Sequence, residues 1–108
     1  MVTDDPKLDP DVKRDWVVYL LVCYDATLYC GVTNDLERRV KVHNAGRVKY
    51  TRSRRPVSVF ATRRPFTKGE ALSVEYEMKR QDRSMKRKIL ETFDWHEWIK
   101  GRSNEELR

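Results

Sequence analysis

A chain of 108 residues with a net charge of +6 holds one domain around a single modest core, which excludes multidomain architectures. It has no apolar run long enough to span a bilayer, and its first residues, MVTDDPKLDPDVK, have neither an apolar core nor a basic lead; it therefore reads as soluble and cytoplasmic, without a membrane partner. Cys23 and Cys30 both lie inside apolar runs, with only His43 and His96 to join them, so they read as buried free thiols rather than a disulfide framework or a zinc site.

Residues 1–14 are acidic and broken by Pro6 and Pro10, the composition of a flexible leader. Trp16–Cys23 and Leu28–Thr33 are apolar runs separated by Tyr24-Asp25-Ala26-Thr27, which predicts a β-hairpin. Asn34 or Asp35 can cap a helix running to about Ala45, and Gly46 is placed to end it. On that helix Arg39 and His43, four apart, share a face, with Leu36 and Val40 as the apolar stripe beside it. A basic loop, Arg47 to Pro56, leads into a β-branched and aromatic strand over Val57–Thr62, which Pro65 is expected to end. Thr67 and Glu70 form a capping box for a helix through about Gln81. Ser84 to about Thr92 is a further helix, Asp94–Ile99 a short one, and residues 101–108 a polar tail. The expected organisation is a leader (1–14), a single folded domain (15–93) and a C-terminal helix with its tail (94–108).

Charge is unevenly placed. Between Leu36 and Arg64 ten Lys/Arg stand against one acid, Glu37, a local balance of +9 that leaves the rest of the chain at −3. Such a concentration on one helix, the loop after it and the next strand suits a phosphate-binding face. Within it, Lys49, Tyr50, Arg52, Arg54 and Arg55 mix cations with a ring, as phosphate contacts with one stacked base would require. Tyr50 and Thr51 are expected to be partly structural. A second cluster, Lys79, Arg80, Arg83, Lys86, Arg87 and Lys88, either extends that footprint or is a solvated helix face.

The run from Trp16 to His43 carries Val17-Val18-Tyr19, Tyr29-Cys30-Gly31 and, eight residues after Gly31, Arg39. It resembles the opening of the GIY-YIG nuclease family, and the small stand-alone bacterial members most of all. The resemblance continues through Tyr50–Pro56 and Glu70–Tyr76. It implies an α/β fold, with a small three-stranded, mostly antiparallel sheet flanked by helices. It also implies a metal-dependent endonuclease acting on nucleic acid, DNA favoured over RNA, with one divalent cation, Mg²⁺ or Mn²⁺.

Phosphodiester hydrolysis needs a base for water, a cation for the charge that builds on phosphorus, and help for the leaving oxygen. The resemblance gives those roles to Tyr19 and Tyr29, one of which takes or relays the proton of the attacking water. Tyr19 is the first choice, with Tyr29 orienting the water or the phosphate; the sequence does not separate them. A phenol with a pKa near 10 needs neighbouring cations to act so. By the same resemblance Arg39 holds the scissile phosphate, His43 assists proton transfer or binds phosphate, Gly31 lets the backbone come close, and Glu75 is the catalytic and metal-binding carboxylate. Taken alone, each strand tyrosine reads as a packed ring, His43 as a helix-surface residue, Gly31 as a bulge and Glu75 as the i,i+4 ion-pair partner of Lys79. Two rival functions remain. One is a nucleic-acid-binding module without turnover; the other is a partner-binding domain that exposes Trp95, Trp98 and Ile99, whose plainer reading is a helix closing the core.

Overall fold

The computed structural model describes residues 12–106; most of the expected leader, and the last two residues of the expected tail, lie outside them. Three strands, β1 (Trp16–Val22), β2 (Leu28–Thr33) and β3 (Ser58–Phe66), form an antiparallel sheet in the order β2-β1-β3. The helices are α1 (Leu36–Asn44), α2 (Lys68–Lys79), α3 (Lys86–Thr92) and α4 (Trp95–Glu106). Single 3₁₀ turns at Arg52–Arg54 and Arg83–Met85 complete the described elements. This is the α/β architecture that the sequence led us to expect.

The central strand explains the layering. β1 is paired on both sides, so its alternate side chains enter two different cores. Val18 and Leu20 join Cys30, Ala61, Phe66, Ala71, Val74, Met78, Leu90, Trp95 and Ile99 on the face covered by α2, α3 and α4. Tyr19, Leu21 and Cys23 join Val57 on the other face, against Tyr29, Leu36 and Val40. The tyrosines therefore lie on the α1 side of the sheet.

Local chemistry sets the ends of the elements. Asp35 caps α1 by accepting from the Arg38 amide, and Gly46 at φ 81° closes it, a backbone conformation that costs glycine little. Thr67 and Glu70 form the expected reciprocal capping box at α2. The hairpin turn places Ala26 at φ 69°, a strained position for a residue with a Cβ.

Two expectations are corrected. β3 does not stop before Pro65 but continues through it to Phe66, which pairs with Trp16 and is fully buried. An edge strand tolerates a proline because one side of its backbone needs no ladder donor. The short C-terminal helix runs instead from Trp95 to Glu106, taking in residues expected to form a polar tail. Its first turns are anchored because Trp95 and Ile99 are buried and the Trp95 indole donates to the Ile89 and Leu90 carbonyls. These residues close the core rather than offer an exposed patch. No helix among the described residues is long and apolar enough to cross a membrane.

Candidate active site

Tyr19 and Gly31 are direct cross-strand partners in an unbroken β1–β2 register, so Gly31 is not a bulge. The Tyr19 ring lies over it. A Cβ built on Gly31 would come within 2.5 Å of Tyr19 Cζ and 3.0 Å of Tyr29 Cε1, so the glycine gives both tyrosines the room they share. The two rings have centroids 6.3 Å apart.

α1 brings His43 to the same place. His43 is fully buried, which corrects its reading as a helix-surface residue, and both ring nitrogens are engaged. Nε2 lies 3.1 Å from the Tyr19 hydroxyl and Nδ1 2.8 Å from Thr51 Oγ1, and the Thr51 hydroxyl reaches the Val48 carbonyl at 3.5 Å. One direction satisfies every group: Tyr19 donates to Nε2, Nδ1–H donates to Thr51, and Thr51 donates to the carbonyl. Both nitrogens of the buried His43 ring are thus engaged within the fold, Nε2 by Tyr19. The Tyr29 ring packs edge-on against His43 at 4.8 Å and lies tilted against Tyr50 at 5.6 Å.

Arg39, one turn before His43 and half-buried, lies against both phenols and is held more firmly protonated by them, Tyr19 foremost. Burial pushes the Tyr19 phenol up to about 12, with Arg39 pulling the other way. Burial, and next the charge of Arg39, press His43 down to about 4. Near neutrality the cluster is therefore a protonated phenol, a neutral imidazole and a guanidinium. Because the unfolded chain takes up a proton at His43 near pH 6.5 while the fold refuses it until about 4, stability should fall as pH drops through that window. Chemical denaturation between pH 6.5 and 5 should show this slope, and His43→Gln should flatten it; an equal slope in both would assign it to other groups.

The basic loop is clamped at its base. Asn44 exchanges two hydrogen bonds with the backbone of Val57, and Arg55 donates to the Arg52 and Asn44 carbonyls. Arg54 pairs with Asp25 at 3.0 Å and lies 4.8 Å over the Tyr50 ring. Lys49 and Arg52 are exposed, and Tyr50 is 48% exposed. Arg63, counted above with the phosphate-facing charges, instead donates to three carbonyls at the end of α3, those of Leu90, Glu91 and Phe93. Sequence reasoning took Thr51 only for a loop anchor and gave Asn44 no role, because neither contact has a local signature.

Glu75 comes from α2, on the other face of the sheet, and meets the edge strand beside Cys30, whose thiol burial raises to about 12 with the Glu75 charge adding to the effect. Its carboxylate is mostly buried and pairs with Lys79 at 3.5 Å. Cys30 lies between Tyr29 and Gly31 in β2, so Glu75 stands across the sheet edge from the tyrosine cluster. Among the described residues no group of three His, Cys, Asp or Glu could enclose a metal. A single carboxylate completed by water and substrate phosphate is a usual Mg²⁺ arrangement, and Glu75 fits it if the cation displaces Lys79.

The family model for the GIY-YIG catalytic domain matches residues 15–88, which contain Tyr19, Tyr29, Gly31, Arg39, His43, the basic loop and Glu75. A UPF0213 protein of Nitratidesulfovibrio vulgaris is 46% identical over 95 residues, covering 85% of this chain and 86% of that protein. Another, from Lactiplantibacillus plantarum, is 40% identical over 85% of this chain and 94% of its own length. A solution NMR structure of an E. faecalis protein is 36% identical, with a TM-score of 0.53, over 76% of this chain and 88% of that one. By its tyrosine half-motifs, its sheet and these relatives, the chain belongs to the GIY-YIG family.

Proposed function

We propose that this protein is a metal-dependent endonuclease that hydrolyses phosphodiester bonds in DNA, with single-stranded or structured DNA as substrate. The family points to nucleic acid in general. One observation supports catalysis at this site: a buried phenol bonded to a neutral imidazole, with a guanidinium against it. That arrangement can move a proton next to a bound phosphate.

Arg39 holds two oxygens of the scissile phosphate. Tyr29, the more accessible phenol, orients the attacking water. Tyr19 accepts the water's proton as its own passes to His43 Nε2. Burial is the larger reason His43 resists that proton, but the second, the charge of Arg39, is offset once an anionic phosphate binds. Glu75 would hold the divalent cation, whose charge stabilises the developing oxyanion and the leaving oxygen. Lys49 and Arg52 position the strand, and Tyr50 offers its exposed ring to a base. Arg54 and Arg55 hold the loop that presents them.

A non-catalytic binding module on the same fold is the second reading, favoured by the Glu75–Lys79 ion pair. Incubating the protein with labelled single-stranded, duplex and branched DNA and with RNA, in Mg²⁺, Mn²⁺ or EDTA, separates the two. We expect cutting of unpaired or branched DNA that needs the metal. Binding that survives EDTA without any cutting would favour the module.

A further inference from the structure

The cations of the second cluster are not equivalent. Arg80, just after α2, is bonded to Glu77, lies over Tyr76 and does not line the cleft formed by others of the cluster. Arg83, Arg87 and Lys88, with Ser84, line a cleft of about 460 Å³ floored by Val22, Leu28 and Phe60, a volume within the ~300–1,000 Å³ typical of small-molecule sites. Its walls are tied in place. The Arg83 guanidinium donates to the Ala26 carbonyl in the hairpin turn, which joins the α2–α3 connection to the tip of the sheet. The Arg87 guanidinium lies 4.9 Å over the Phe60 ring and 3.6 Å from Glu91, the one acid in the lining. A cleft with a surplus of two positive charges, an apolar floor and a stacked guanidinium matches a nucleotide, which has an anionic phosphate and a flat base.

The cleft also adjoins a cavity beside the tyrosines. A second cavity, of about 260 Å³, is lined by Tyr29, Tyr50, Cys30, Lys79 and Lys86. Leu28 lines both cavities. The smaller cavity, beside Tyr29 and Tyr50, thus shares with the arginine cleft a residue of the edge strand β2. We infer that this cleft is a distal nucleotide subsite that grips the DNA strand a few nucleotides from the cut, Arg83, Arg87 and Lys88 contacting its phosphates and the Arg87–Phe60 stack receiving a base. The inference rests on the nuclease reading for the identity of its ligand. It does not depend on turnover.

The test measures binding of the full chain to fluorescein-labelled oligothymidylates of 4, 8 and 12 nucleotides, in EDTA so that nothing is cut. Wild type should bind more tightly as the strand lengthens. Arg83→Ala/Arg87→Ala should lose most of that gain, weakening the 12-mer roughly tenfold and flattening its log-affinity against log-salt slope by about 1.4, or ~0.7 for each of two lost phosphate contacts. Arg87→Glu/Lys88→Glu, which leaves the bond to the hairpin turn intact, should have at least as large an effect, and Arg80→Ala none. Affinity and salt slope for the 12-mer equal to wild type in both double variants would overturn the subsite. A wild type that shows the length dependence yet cuts nothing in Mn²⁺ would overturn the nuclease reading and leave the subsite standing.

Discussion

Arg39→Ala should lower DNA cleavage by at least 10²-fold, the order found when one preorganised donor to a developing oxyanion is removed. The guanidinium is half-buried and lies against both phenols, so it is fixed before the phosphate arrives and little reorganisation is needed in the transition state. Affinity for uncut DNA should drop far less, because one phosphate contact among several is lost. Arg39→Lys should recover only part of the rate, since an ammonium cannot hold two oxygens at once. A second readout is independent of cleavage. Because the charge of Arg39 is one of the two causes that depress the His43 pKa, its removal should raise that pKa, visible in a proton NMR titration of the imidazole. Cleavage within threefold of wild type, with His43 unmoved, would remove Arg39 from the mechanism.

Gly31→Ala should destabilise the fold and disable the site together. The added Cβ would come within 2.5 Å of Tyr19 Cζ, and Tyr19 cannot retreat easily because it is 1% exposed and bonded to His43. Overpacking of this kind costs about 1–3 kcal/mol, which for a domain of this size lowers Tm by roughly 5–15 °C. The loss should be coupled to Tyr19: in a Tyr19→Leu background, where no ring covers Gly31, the same substitution should cost much less. Equal melting of wild type and Gly31→Ala would show that the ring has room the geometry denies it.

How much was legible follows from where each signal lies. The hairpin, the α1 cap at Asp35 and the Thr67–Glu70 box are local, and short stretches of sequence carry them. The stretch of β3 through Pro65 was not, because a proline is tolerated there only once the strand is known to be an edge. α4 looked short because its continuation is polar, while its anchors, Trp95 and Ile99, sit in its first turns. In the site, the resemblance supplied Tyr19, Tyr29, Arg39 and Gly31, and the structure brings these four together. The burial of His43 and its bond to Thr51 depend on how the clamped loop folds back over α1, a tertiary contact with no periodicity to reveal it. Glu75 is the opposite case. Its spacing invites the pairing with Lys79 that is observed, while its place beside Cys30 of the edge strand is a tertiary relation that a linear reading does not show.

We propose that the tyrosine cluster and Glu75 together form one hydrolytic site. It is tested most directly by single-turnover cleavage of end-labelled DNA in Mn²⁺ by wild type beside Glu75→Gln, with binding in EDTA measured on the same samples. We predict that wild type cuts, and that Glu75→Gln binds with similar affinity and cuts at least 10²-fold more slowly. Equal cutting by the two would show that Glu75 is only the partner of Lys79, and no cutting by wild type on DNA that it binds would contradict the nuclease itself.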